Sequence, residues 1–287
     1  MGGKYHYRSY FFEKGLKDGS VGKAKYLFSE WDRIKKSIEQ DFIYLFLDYD
    51  GTLAPIVRDP AKAFMPKRTG RVLSGLCRMP GIKIAVVSGR ALGEVARFVG
   101  LREITYVGNH GFEIRSPAFR FDKPVPGGYK KALERIKNEI NKRFSGIEGV
   151  GIDDKKISLS IHYRCAAKKD VLRIKSALRD MLNEPVLKGM VRKRNAKMAV
   201  EVVPPMDWNK GKAVLWLLAR ERSRETTKRR KVVPVYIGDD ATDEDAFRAI
   251  GRKGITVLVG KNKKTASRYF LKNTNEVIEF MRRIKHG

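Results

Sequence analysis

Two aspartates stand two positions apart in Asp48-Tyr49-Asp50-Gly51-Thr52-Leu53, directly after the apolar run Phe42–Leu47. Ligands of open α/β sheets bind outside the carboxyl ends of the strands, so both carboxylates can face one pocket there. Such a pair can hold a divalent cation, or divide a nucleophile from an acid/base group. A loop-capping pair is the bland alternative. Three further groups sit at comparable places. Ser88-Gly89-Arg90 follows the run Ile82–Val87, and Lys210-Gly211 precedes a helical pattern. The acidic stretch Gly238-Asp239-Asp240-Ala241-Thr242-Asp243-Glu244-Asp245 follows Val232–Ile237. Each alone is weak, because a serine at a helix start is usually an N-cap and a lysine is usually on the surface. All four in order, each at the end of an element, form a specific signal.

The elements that must position these groups are legible as well. The runs 42–47, 82–87, 104–107, 232–237 and 255–259 read as strands buried on both faces. Helical stripes lie between several of them, such as Val72, Leu73, Leu76 and then Leu92, Val95, Phe98, Val99. Strand–helix–strand alternation predicts an α/β core with a parallel sheet covered by helices. The middle of the chain differs. Two helical stripes, Tyr129/Leu133/Ile136/Ile140 and Val171/Ile174/Leu178/Met181, accompany strands that alternate. Ile157, Leu159, Ile161 and Tyr163 point one way, against Ser158, Ser160, His162 and Arg164. Met198, Val200 and Val202 oppose Lys197, Ala199 and Glu201. One packed and one polar face is the antiparallel pattern. The reading is an α+β cap over 117–195 inserted into a core of 41–116 and 196–287, with strand 196–203 assignable to either. Residues 1–40 form an extension whose first ~20 positions read as a loose terminus, followed by a helix carrying Tyr26, Leu27, Trp31, Ile34 and Ile38.

The 287 residues are 32% charged, 42% hydrophobic and 10% aromatic, which excludes whole-chain disorder. No apolar stretch reaches the ~18 residues of a membrane span, and the basic first residues lack the apolar core of a signal peptide. Cys77 and Cys165 cannot build a disulfide framework, so a reducing, cytoplasmic setting is expected. The net charge of +29 fits nucleic acid, an anionic surface or an anionic substrate.

The four groups resemble the four motifs of haloacid-dehalogenase-like phosphatases, which implies that family's Rossmann-like core with an inserted cap. The resemblance implies Asp48 as nucleophile and Asp50 as acid/base, with Ser88 and Lys210 binding the phosphoryl oxygens. It implies Mg²⁺ held by Asp48, Asp239 and the carbonyl of Asp50, with Asp243 supporting the metal.

Over about residues 40–287 the chain is similar, more narrowly, to trehalose-6-phosphate phosphatases. Gly108-Asn109-His110-Gly111-Phe112-Glu113, Asp153-Asp154-Lys155 leading to His162-Tyr163-Arg164, and Glu201-Val202-Val203-Pro204 with Asn209-Lys210-Gly211 carry this likeness. Tyr269-Phe270-Leu271 with Glu276-Val277 carries it to the C-terminal end. Asp153 stands where the family usually has Glu, and Met206-Asp207-Trp208 is atypical. The resemblance implies a cap that reads the sugar, with Arg90, Asn109, His110, Asp153, Lys155, His162, Arg164 and Glu201 as substrate-binding residues. A Mg²⁺-dependent, monomeric phosphatase of trehalose 6-phosphate is the expectation, with a trehalose-6-phosphate synthase as partner.

The same fold acting on sucrose phosphate or a glycosyl-phosphoglycerate is the alternative within phosphatases. A basic nucleic-acid binder is the alternative outside them, resting on +29 and on the runs Lys228–Lys231 and Lys261–Lys264. Basic runs are ordinarily solvated faces, and no aromatic-flanked RNA motif or zinc spacing accompanies them. Neither nucleic acid nor a membrane is therefore expected as the partner.

Overall fold

The computed structural model describes residues 22–39, 41–57, 59–184, 187–196, 198–224, 230–261 and 264–286. The expected loose terminus lies outside these residues, as do Lys197, Lys228, Arg229, Asn262 and Lys263. Among the described residues the main sheet has nine strands. From one edge they run β2 (Lys25–Tyr26), β15 (Tyr269–Leu271), β13 (Ile255–Val259), β12 (Val232–Gly238), β3 (Phe42–Leu47), β4 (Ile82–Val87), β5 (Thr105–Gly108), β6 (Glu113–Ser116) and β7 (Phe119–Asp122). Pairing is parallel from β2 to β5, and β6 and β7 join antiparallel. A two-residue pair, β1 (Gly22–Lys23) with β14 (Lys264–Thr265), stands apart.

Strand β3 shows why the long apolar runs were needed. Ile43, Leu45 and Leu47 enter one hydrophobic layer, and Tyr44 and Phe46 enter the other. The first layer is closed by α1 (Trp31–Ile38), α2 (Lys67–Leu76), α3 (Leu92–Val99) and α8 (Thr274–His286). The second is closed by α6 (Lys210–Arg222) and α7 (Glu244–Ile250). The chain leaves β3 toward β4 and β5 on one side, and later fills the other side with β12, β13 and β15. The order therefore reverses between β3 and β12, and a crevice opens at their carboxyl ends.

A second sheet, in the order β10 (Arg192–Ala196), β11 (Ala199–Val203), β9 (Leu159–His162), β8 (Gly151–Asp154), is antiparallel throughout. Leu159, Ile161, Val200 and Val202 pack with α4 (Tyr129–Phe144) and α5 (Lys168–Leu182) into a third hydrophobic cluster. Glu201 and Ser160 lie on the opposite face. Phe119–Asp122, expected in the cap, instead completes the main sheet, and Ala199–Val203, assignable to either from the sequence, belongs to the smaller one. The alternation is also shorter than its sequence suggests. Ile157 sits in the turn before β9 and packs against the core layer of α6 and α7, and Met198 takes a turn conformation at φ +57°. No helix of the described residues is long and apolar enough to cross a membrane.

Candidate active site

Strand β3 delivers Asp48 to the crevice, where its backbone N–H donates to the carbonyl of Ile237 on β12 at 2.9 Å. Lys210, the first residue of α6, donates through Nζ to Asp48 Oδ1 at 2.7 Å and to Asp243 Oδ1 at 2.8 Å. All three side chains are almost wholly buried, at 6% exposed or less. Burial opposes the charge on Lys210, but the carboxylates of Asp243 and Asp48 hold its pKa above the ordinary value. The ammonium thus stays charged beside the proposed nucleophile. A buried cation of this kind suits a doubly charged phosphoryl group.

Asp243 accepts from Lys210 and from Tyr236 Oη on one oxygen, and from the backbone N–H groups of Asp239 and Asp240 on the other. It therefore shapes the loop after β12. Asp239 is different. Its Oδ1 is buried without a hydrogen-bond partner among the described residues. Burial, with Asp243 and Asp240 nearby, pushes its pKa up to about 7. Carboxylate oxygens of Asp48, Asp239 and Asp243 lie within 4.8 Å of one another. An orphaned oxygen in an all-oxygen, mutually repelling set fits a hard divalent cation. Gly51 makes room for the Asp239 carboxylate: at φ +81°, a Cβ there would stand 2.3 Å from Asp239 Oδ2.

Asp50 is less buried, and Arg90 grips it. The guanidinium donates from Nε and Nη2 to the two carboxylate oxygens, both at 2.7 Å, from Nη1 to Glu94 at 2.6 Å and from Nη2 to the carbonyl of Pro60 at 2.9 Å. It also lies over the ring of Phe98, 5.0 Å from the centroid. Sequence reasoning placed Arg90 on the substrate; in the structure it donates to Asp50, Glu94 and the Pro60 carbonyl. Ser88 is buried at the end of β4, and its Oγ accepts from the backbone N–H of Arg90 at 3.1 Å. The hydroxyl hydrogen is left for another acceptor.

Across the crevice stands the polar face of the smaller sheet. Asp153, Ser160, Glu201 and Arg194 are direct partners along one cross-strand row. Lys155 lies 3.6 Å from Glu201 and 3.8 Å from Asp153, and Ser160 Oγ donates to Glu201 at 3.2 Å. His110 Nε2 reaches Glu201 from the main domain at 3.3 Å. Burial works against the charge on Glu201, yet His110, Lys155 and Ser160 pull its pKa well below the carboxylate range. His110 adopts φ +56° and lies so close to Gly89 that a Cβ there would meet its ring at 2.5 Å.

Asn109 is occupied elsewhere. Its amide donates to Glu113 and to the carbonyl of Lys155, and its oxygen accepts from Ser158 Oγ at 3.2 Å. It ties the two domains together rather than facing the crevice with free groups. Asp153 and His162 are on the polar face and exposed, and Arg164 follows β9 in an exposed turn. Asp154, beside Asp153, turns away to Lys137 on α4 at 2.6 Å. Glu94, Ser160 and Arg194 escaped sequence reasoning as site residues. The polar alternation around Ser160 was visible, but nothing local marked Arg194 as more than one of many basic residues.

A family model described as trehalose-phosphatase matches residues 46–275. A curated Arabidopsis thaliana protein named "Probable trehalose-phosphate phosphatase D" is 34% identical over 267 residues, covering 88% of this chain and 70% of its own length. A trehalose 6-phosphate phosphatase of Zea mays is also 34% identical, covering 84% of this chain and 69% of its own. Among solved structures, the C-terminal domain of the C. albicans trehalose-6-phosphate phosphatase matches with a TM-score of 0.76 at 23% identity, over 93% of this chain and 99% of that one. An Aspergillus fumigatus trehalose-6-phosphate phosphatase matches with a TM-score of 0.62 at 26% identity, over 92% and 99%.

Proposed function

Because this chain belongs to the trehalose-phosphatase family, we propose that it hydrolyses trehalose 6-phosphate to trehalose and phosphate through an aspartyl-phosphate on Asp48. The enzyme is a phosphoric monoester hydrolase. The observation that carries the mechanism is the buried contact of Lys210 with Asp48 at the point where the strand order reverses. It sets a nucleophile and a phosphoryl-binding cation side by side, with Asp50 two residues on.

Asp48 attacks phosphorus, and the bond from phosphorus to the sugar oxygen breaks. Asp50 gives that oxygen its proton, then takes one from the water that hydrolyses the aspartyl-phosphate. Arg90 keeps the Asp50 carboxyl in place for both steps. Ser88 and Lys210 bind the phosphoryl oxygens. Asp48, Asp239 and the carbonyl of Asp50 would hold Mg²⁺, with Asp243 behind them, and the ion would supply charge neutralisation at phosphorus. The face bearing Glu201, Lys155 and Asp153 offers carboxylates and an ammonium to sugar hydroxyls, with His162 and Arg164 beyond. The segment between the two stretches of the main sheet then acts as a cap. A cytoplasmic setting and supply of substrate by a trehalose-6-phosphate synthase complete the proposal.

The test is phosphate release from a panel of sugar phosphates with Mg²⁺ and after chelation. Release from trehalose 6-phosphate that stops with EDTA and returns with Mg²⁺ is expected. Preference for sucrose phosphate or a glycosyl-phosphoglycerate would overturn the substrate, and full activity in chelated buffer would overturn the metal.

A further inference from the structure

The row Asp153–Ser160–Glu201–Arg194 crosses the whole cap sheet, and its last member is a cation on the edge strand β10. Directly opposed residues of an antiparallel pair share a face, so Arg194 looks the same way as Glu201, toward the crevice. The side chain is half-buried. Its guanidinium makes one long hydrogen bond, from Nη2 to the carbonyl of Trp208 at 3.5 Å, and no ion pair within 4.0 Å among the described residues. That carbonyl belongs to the segment leading into α6, so Arg194 spans from the smaller sheet to the main domain. The charges facing it are Arg192 on its own strand, Glu201 on the neighbouring strand and Asp245 on α7. A planar fork with five N–H donors is held here nearly unused. Leaving donors partly desolvated and unpaired is costly, and a hydroxyl-rich ligand removes the cost.

We propose that Arg194 is a specificity-determining residue that donates to the sugar ring distant from the phosphate, and so selects a disaccharide phosphate. The inference rests on the reading of the cap face as the sugar site. Asp153, with Lys155 beside it, stands at one end of the polar row, and Arg194, next to Glu201, extends recognition to the other end. Phosphoryl binding stays with Ser88 and Lys210.

The experiment compares Arg194→Met and Arg194→Lys with wild type, by KM and kcat on trehalose 6-phosphate and by the inhibition constant of inorganic phosphate. Arg194→Met should raise KM about 10- to 100-fold, with the phosphate constant within about twofold, since only contacts beyond the phosphate are lost. Arg194→Lys should fall between, because it keeps the charge and loses the fork. Unchanged thermal unfolding separates this from a folding defect. A KM within about twofold of wild type, or a parallel rise in the phosphate constant, overturns the assignment. A wild type inactive on trehalose 6-phosphate sinks the proposed substrate instead, and the same comparison is then made on the sugar phosphate it does hydrolyse.

Discussion

The strand-end crevice and the cap face are both polar, but they solve the problem of buried charge differently. In the crevice, Asp48, Lys210 and Asp243 are sealed almost completely and satisfy one another within the main domain. On the cap, Glu201 and Lys155 are also largely covered, yet Glu201 draws one of its partners, His110, from the other domain. Asp153 and His162 remain open to solvent. The crevice is organised whatever the cap does, whereas the cap face is complete only when the two domains meet. Under the proposed function, chemistry falls to the preorganised side and choice of substrate to the side completed by a second domain. Low local dielectric raises the stakes in both places, because an unpaired buried charge costs more than its pairing gains.

The sharpest break in that contrast comes from Asp48→Asn. Turnover should fall by orders of magnitude on every substrate with unfolding little changed, because a covalent nucleophile cannot be bypassed. Residual turnover near wild type would remove the mechanism. Lys210→Met tests the sealed character of the crevice. It strands the buried carboxylates of Asp48 and Asp243, and should destabilise the fold by about 3–5 kcal/mol in denaturant unfolding. A loss below about 1 kcal/mol would mean the crevice is far wetter than its geometry implies.

Glu201→Ala and Lys155→Ala address the cap. Each should lose about 2–4 kcal/mol of transition-state binding in kcat/KM on trehalose 6-phosphate, and far less on p-nitrophenyl phosphate. Equal losses on both esters would place these residues in the chemistry or the fold.

The smallest effect is in stability against pH. The folded pKa of Glu201 is held below the ordinary carboxylate value. Its contribution is therefore fully present above the unfolded pKa of about 4.3 and declines as pH falls below it, when the unfolded chain takes up the proton. The stability gap between wild type and Glu201→Gln should narrow as pH falls from about 5 toward 3. A gap that does not change over that interval would show that the charge of Glu201 is not stabilised by His110 and Lys155.

Strands β3, β4, β12 and β13 were legible because burial on both faces of a parallel sheet forces uninterrupted apolar runs. The placement of Asp48, Ser88, Lys210 and Asp239 was legible because each follows or opens such an element, where open α/β sheets bind ligands. The short hairpin β6–β7 was not, since Phe119 and Phe121 alternate with charges at an edge and resemble cap strands. Arg90 illustrates the other limit. Its position after β4 was plain, but a guanidinium reaches several partners, and only the folded chain shows that Asp50, Glu94 and Pro60 take its donors.

Local pattern determined the long core strands and the helices, because side-chain period and burial are properties of neighbours along the chain. It also determined the order of the acidic and basic groups at the ends of those elements. Which charges meet was decided by tertiary structure. Lys210 lies 162 positions from Asp48, His110 lies 91 from Glu201, and both contacts exist only once strands cross over or domains close. Sequence distance does not encode such pairings, and register across the cap sheet, which sets Arg194 beside Glu201, follows from strand pairing rather than from any local preference.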